Sequence, residues 1–208
     1  MKLVFDIETD GLDASKIWCI VAKDLETNKV HTFNPDQIKE GLDLLAKAEL
    51  LVGHNILGFD IPIIEKLTGL SFKDKKVIDT LVLSRLAKPE RGGHGLKAWG
   101  FNLGFNKGSM EEHGFTQYSE EMMEYCINDV ELNSKVFNTV IKELDGFDPK
   151  SIGLEHGVAV ILKEQEKHGF LFDEKRGTVL LAELNERKRK IEETVQKVFK
   201  PKLVKLKT

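Results

Sequence analysis

Asp6 and Glu8 stand two apart at the end of an apolar stretch, KLVFDIE. If that stretch is a β-strand, its side-chain period of two puts both carboxylates on one face, which is a metal-ligand geometry. Taken alone, a D-x-E pair is more often a solvated strand end. Phe5 and Ile7 bracket the pair, however, so it falls where a core strand should still be partly buried. Buried carboxylates need partners, and one cation satisfies two of them at once. A third acid, Asp60, occurs in HNILGFD, where a strand gives way to a helix; its ordinary reading is a first-turn acid favoured by the helix dipole. The fourth, Asp129, lies in a long helical run with Tyr125 one turn before it, so both side chains emerge on one face.

Four acids spread over a strand, a helix start and a later helix form the set that two divalent cations need, with positions left over for substrate oxygens. The chemistry that fits is phosphodiester hydrolysis by in-line displacement. No Ser, Cys or His arrangement offers a covalent route. Cys19 and Cys126 form neither a CxxC pair nor a ligand-spaced cluster, and both read as small buried hydrophobes.

The elements that must hold these residues are legible in the patterning. Leu3, Phe5 and Ile7 mark one face of a first strand over residues 2–8, and TDGLDAS after it has turn chemistry. WCIVAKDL and VHTFN, separated by ETNK, read as a β-hairpin. Pro35 opens a helix to about Ala46, LLVGHN reads as a central strand, and residues 57–67 are helical. Residues 71–117 are expected to be irregular, with helical pieces at 79–87 and 95–103. Ser119 caps a helix to about Leu144 whose apolar stripe is Met123, Ile127, Val130, Phe137, Ile141 and Leu144. Two further helical stretches, 152–167 and 174–199, flank HGFLFD. Strands first, then strand and helix alternating, predict an α/β domain with a mixed sheet flanked by helices. Phe101, Phe105 and Phe115 could stack on unpaired bases, but core packing is the commoner fate of aromatic residues in such a domain. His94 and His113 lie in a glycine-rich stretch, where a histidine is usually solvated, and both stay undecided and outside the candidate site.

With 208 residues, 41% of them apolar, the chain can bury a sizeable core. No apolar run is long enough to span a bilayer and the N-terminus reads as a strand, so a cytoplasmic protein with no membrane partner is expected. The net charge of -3 is unevenly spread: residues 1–150 carry -7 and residues 151–208 carry +4. A negative domain can still act on a polyanion when its carboxylates hold cations that reverse the local sign.

The order DIET, HNILGFD and YCIND resembles the three exonuclease motifs of the DEDD superfamily, in its tyrosine subgroup. VIDTLVLSRL, HGLKAWGFNLG and SEEMMEYCINDV are similar to segments of phage replicative polymerases of DNA polymerase family A, and the likeness runs through nearly the whole chain. That resemblance implies a ribonuclease H-like mixed sheet flanked by helices, with a C-terminal helical extension. It implies an exonuclease domain over 1–150 and, over 151–208, a segment similar to the start of the polymerase thumb. The activity implied is two-metal 3′ to 5′ hydrolysis of single-stranded or mismatched 3′ DNA ends, as the proofreading part of a replicative polymerase. The cofactors are two divalent cations, Mg2+ or Mn2+, and the partners are a single-stranded 3′ DNA end and a polymerase body in cis or in trans.

Position by position, Asp6, Glu8, Asp60 and Asp129 match the family's metal-binding acids, and Tyr125 matches the tyrosine that orients the attacking water. Glu124 stands where a histidine would mark the other subgroup. Leu12 matches a leucine that wedges against the terminal bases, and Asn55 matches a substrate-binding asparagine. Asn55 lies five before Asp60, one more than in bacterial repair polymerases with this motif, which matches the phage branch. No polymerase motifs follow, so the chain alone is not expected to extend a primer. Two other functions stay open at this point: a stand-alone exonuclease directed at RNA, and an inactive DNA-binding module.

Overall fold

A computed structural model describes residues 1–105 and 116–200. Its frame is a five-stranded sheet in the order β3-β2-β1-β4-β5, made of β1 (Lys2–Thr9), β2 (Ile17–Asp24), β3 (Val30–Phe33), β4 (Leu50–Gly53) and β5 (Lys76–Asp79). β1 pairs antiparallel with β2 and parallel with β4, and β4 pairs parallel with β5, so the sheet is mixed as expected. The helices are α1 (Ile38–Lys47), α2 (Asp60–Thr68), α3 (Thr80–Ala87), α4 (Leu96–Asn102), α5 (Glu120–Glu143), α6 (Pro149–His168) and α7 (Glu174–Val198).

β1 is central because both its faces are buried. Leu3, Phe5 and Ile7 pack into one apolar cluster with Leu45 of α1 and Ile61 and Ile64 of α2. Val4 faces the other way, into a cluster with Met122, Cys126 and Val130 of α5. Asp6 and Glu8 share the face of Val4 by strand alternation, so the sheet presents them toward α5. Burying side chains such as Leu3 and Phe5 contributes about 2 kcal/mol each, which fixes the register that sets the acids' direction. The β1–β2 register skips at Glu8/Thr9, where Trp18 is the extra residue, a bulge of the kind that re-aims side chains at strand ends.

α1 lies close to the sheet because Gly41 has no side chain: a Cβ there would stand 3.0 Å from the Phe33 ring and 3.1 Å from Ile20 Cδ1. α5 starts where Ser119 accepts a hydrogen bond from Met122 N–H at 3.1 Å, the expected cap. Its buried stripe differs from the expected one, since Met122, Cys126, Leu132, Val136 and Val140 face inward whereas Ile141 is exposed. The helix serves two cores, the sheet at its N-terminal half and α3 with α4 at the other, so no single straight stripe describes it.

Two expectations on residues 71–105 need correction. KVID is a strand, β5, inside a segment expected to be irregular, because its pairing comes wholly from β4. Phe101 is 89% exposed and not core, while Phe105 is partly buried under the Lys135 ammonium, 4.6 Å from its ring centroid. Phe115 and His113 lie outside the described residues. The chain divides into compact units at Met1–Lys167 and His168–Thr208, later than the expected division at 150. The reason is that α6 enters the first unit through Ile152, packed on the α3–α5 cluster, and through a hydrogen bond from Asp79 N–H to His156. In the second unit α7 begins at an Asp173 cap and carries Leu180, Leu181, Leu184 and Ile191 exposed. Among the described residues no helix is long and apolar enough to cross a membrane.

Candidate active site

Asp6 and Glu8 end β1 on the side facing α5, where Asp6 is half-buried and Glu8 buried. One ligand atom each from Asp6, Glu8 and Cys126 lie within 4.8 Å of one another. The Cys126 Sγ stands 3.6 Å from Asp6 Oδ2, and this contact brings α5 against the strand end. Burial, with Cys19 and the Asp6 carboxylate beside it, pushes the Cys126 thiol well above the ordinary thiol range, so it is a neutral neighbour of the acids. Tyr125 is adjacent to Cys126 and half-buried, and Asp129, 6% exposed, follows one turn later on the same helix.

Asp60 arrives from the opposite side. β4 stops at Gly53 while β1 runs on to Thr9, so part of the β1 edge extends past its parallel neighbour. There the Ile7 N–H donates to Asp60 Oδ1 at 3.2 Å, which pins the first residue of α2 to the peptide lying between Asp6 and Glu8. Asp60 is 2% exposed, and burial, with the Asp79 carboxylate as a lesser cause, pushes its carboxyl up to about 7. The Ile7 N–H works in the other direction and is outweighed. A carboxylate held at such cost is the type of group that a cation stabilises.

The turn that delivers Asp60 is tightly built. Asn55 takes a left-handed conformation, φ 64°, which a non-glycine residue adopts at a cost of roughly 1 kcal/mol, least for Asn and Asp. Its carbonyl accepts from Gly58 N–H and Phe59 N–H, both at 3.0 Å. Gly53 cannot carry a side chain, since a Cβ would fall 1.8 Å from Ile56 Cγ2. Asp79 closes the turn from β5: Oδ1 accepts from Asn55 N–H at 2.8 Å and Oδ2 from Leu57 N–H at 3.1 Å. The buried hydroxyl of Thr80, next in sequence, lies within hydrogen-bond distance of Asn133 Oδ1, Gly53 O and His54 Nδ1, and its single proton serves the two oxygens.

Leu12 stands 91% exposed on the turn after β1 and does not close the core edge. It borders a groove of about 1220 Å³ whose walls include Leu57, Phe59 and Lys66 on one side and Val160 and Lys163 of α6 on the other. The structure thus gathers Asp6, Glu8 and Asp60 about the end of β1, sets Tyr125 and Asp129 on the helix packed there, and places Asn55 in the backbone of the Asp60 turn. His94 is half-buried and anchored, its Nδ1 2.8 Å from Ser84 Oγ, and the Ser84 hydroxyl accepts from Trp99 Nε1.

Two residues of this site escaped the sequence reading. Cys126 gave no signal, because its closeness to Asp6 spans 120 positions. Asp79 did give one: an acid followed by Thr80 and an apolar helical run is a helix-start pattern, and Asp79 does accept from Leu81 N–H at 2.9 Å as the α3 cap.

Residues 3–141 match the sequence profile of the RNase H superfamily. The DNA-directed DNA polymerase of Escherichia phage T7 is 28% identical over 96% of this chain and 38% of its own length, and that of Enterobacteria phage T3 has the same figures. The chain therefore spans less than two-fifths of these relatives. In fold it is similar to Brucella melitensis NrnC, with a TM-score of 0.62 at 17% identity over 81% of this chain and 85% of that one. Escherichia coli RNase D gives a TM-score of 0.58 at 13% identity over 79% of this chain and 45% of that one. The mixed sheet, its flanking helices and the profile match over most of the length agree, and the chain belongs to the RNase H superfamily.

Proposed function

We propose that this chain is a divalent-metal-dependent 3′ to 5′ exonuclease that removes nucleotides from single-stranded or mismatched 3′ DNA ends, the proofreading part of a phage-type family A DNA polymerase. The observation that carries the reading is the Asp60–Ile7 hydrogen bond, which brings a buried acid from α2 to the strand end bearing Asp6 and Glu8. Structural needs alone do not account for a buried carboxyl raised so far by its own desolvation.

The residues fit hard divalent cations. Asp6, Glu8, Asp60 and Asp129 offer carboxylate oxygens, the donors that Mg2+ and Mn2+ take, and the Cys126 thiol, grouped with Asp6 and Glu8 alone, is held protonated by burial. Such ions, when bound, supply charge stabilisation for in-line displacement at phosphorus. Asp6, Glu8, Asp60 and Asp129 hold them. Tyr125 orients the attacking water through its hydroxyl from the α5 side, and Leu12, projecting into solvent beside the groove, packs against the terminal bases and favours a frayed end. Unstacking a terminal base costs a few kcal/mol, less for a mismatch, so a site that accepts only a separated strand selects errors.

DNA is favoured as substrate by the likeness to the two phage DNA polymerases, which runs along 96% of this chain. A polymerase body in cis or in trans is the partner, and the exposed apolar residues of α7 are a fitting place for it. The test is digestion of 3′-labelled and 5′-labelled single-stranded DNA, with matched and mismatched duplexes and an RNA strand alongside, in magnesium and in EDTA. Stepwise magnesium-dependent loss of the 3′ label, faster at a mismatch, is expected. Preferential digestion of RNA would establish the RNA-directed alternative, and binding without cleavage the inactive module.

A further inference from the structure

The segment Asn55–Phe59 has to turn the chain from the end of β4 to Asp60, and its backbone donors divide into two sets. Gly58 and Phe59 N–H groups bond within the turn, to Asn55 O. Asn55 and Leu57 N–H groups have no such internal acceptor and go to the two oxygens of one buried carboxylate, Asp79, 2% exposed. A third N–H, from Leu81, also reaches Oδ1. With one turn donor on each of its two oxygens, Asp79 determines where this turn sits.

Asp79 is itself held from behind. Its backbone N–H donates to His156 Nε2 at 2.9 Å, and His156 Nδ1 lies 2.8 Å from Ile152 O. The ring must accept at Nε2, so its proton is on Nδ1, donated to that carbonyl. β5 is thereby clamped between the turn in front and α6 behind.

A capping role alone would need only the Leu81 bond. The other two bonds join positions 24 and 22 residues away and serve the turn, not α3. A role as a further metal ligand is also poorly served, since both oxygens are already engaged by N–H donors.

We propose that Asp79 is a positioning residue for the nuclease reaction: by clamping the Asn55–Leu57 backbone it sets Asp60 at the end of β1, without touching substrate or ion. The inference rests on the metal-site reading above, in which Asp60 is a ligand. Asp79→Ser separates the two roles, because a serine still caps α3 but cannot reach both turn donors. Asp79→Asn retains the shape while setting an amide donor against an N–H. Leu45→Ala, in α1 and in the core it shares with Ile61 and Ile64, serves as a control that loses stability without removing any of the Asp79 hydrogen bonds.

The measurements are Mn2+ binding by calorimetry in the absence of DNA, single-turnover cleavage in magnesium, and thermal unfolding. Asp79→Ser and Asp79→Asn are expected to weaken Mn2+ binding roughly tenfold and to slow cleavage at least as much, with KM for DNA little changed. Leu45→Ala is expected to lower the melting temperature and leave Mn2+ affinity within about twofold of the parent. Native Mn2+ affinity in Asp79→Ser would overturn the proposal and leave Asp79 as a helix cap, and so would an equal loss of affinity in Leu45→Ala. If the unaltered chain binds Mn2+ but cleaves no nucleic acid, the nuclease reading fails, while the Mn2+ affinities of the variants still decide whether Asp79 positions the site.

Discussion

Asp60→Asn should make the metal-free protein more stable at alkaline pH while abolishing its activity. The carboxyl moves from an ordinary value of 3.8 to about 7, chiefly through burial. At about 1.4 kcal/mol per pH unit, a shift of roughly 3 units corresponds to about 4 kcal/mol of penalty for the ionised form. The native state holds a proton on Asp60 that the unfolded chain has already released between about pH 4 and pH 7, so stability falls as pH rises through that window. Above it the whole penalty is present. Asparagine removes the charge and keeps an oxygen for the Ile7 N–H, which now donates at 3.2 Å.

Relaxation around the buried charge and the new amide donor reduce the gain, so a realistic figure is about 2 kcal/mol near pH 8. For a chain of this size that corresponds to a rise of roughly 4–8 °C in melting temperature. Below about pH 4, where Asp60 is protonated in the native and the unfolded chain alike, the difference should shrink to near zero. Both tryptophans, Trp18 and Trp99, lie in the first compact unit, so intrinsic fluorescence follows the unit that holds the site. Unfolding would be recorded in EDTA at the two pH values, then with magnesium. Magnesium should stabilise the parent more than the variant, because a ligand that binds only the native state shifts stability by its own affinity. Equal destabilisation of Asp60→Asn at both pH values would refute the reasoning, since it would mean that polar partners, and not burial, dominate the environment of Asp60.

Asp6→Ala and Asp129→Ala are each expected to lower single-turnover cleavage by at least about a thousandfold, with an unchanged circular dichroism spectrum; near-normal cleavage by a folded variant removes that acid from the site. Tyr125→Phe should slow cleavage by roughly a hundredfold without stopping it, because the hydroxyl only orients the water, and a rate equal to the parent would make Tyr125 a packing residue. Leu12→Ala should leave unfolding within about 0.5 kcal/mol of the parent, as expected for a side chain that is 91% exposed, while reducing the preference for mismatched over matched ends. An unchanged preference would deny Leu12 the wedge role.

What could be read from sequence was what local physics dictates. β1, the β2–β3 hairpin and the Ser119-capped α5 follow from alternation, turn residues and a cap, all within short windows. β5 was not legible, since four residues carry little periodicity and KVID becomes a strand only through β4. α6 was legible as a helix but not as part of the first unit, because that depends on Ile152 and His156 meeting partners far away in the chain. For the site, residue types and motif order indicated the four acids, yet neither could show how Asp60 reaches β1.

The geometry at Ile7 explains why that last step escapes a reading of the chain. A peptide N–H carries no sequence information, since every residue except proline has one. It matters here because β4 ends at Gly53, the edge of β1 continues, and the donor that this edge presents lies between two acids. The same strand end therefore supplies two carboxylates and the hydrogen bond that fetches a third. At the end of β4 the chain turns so closely that a Cβ on Gly53 would meet Ile56, and the turn beyond it is held by Asp79 from the next strand over. Asp79 and the end of β1 that Asp60 joins are far apart along the chain, but across the sheet only β4 lies between them. Lengthening β4 by pairing would occupy the donor that Asp60 needs, so a short central strand is a condition for the site rather than an imperfection of the sheet.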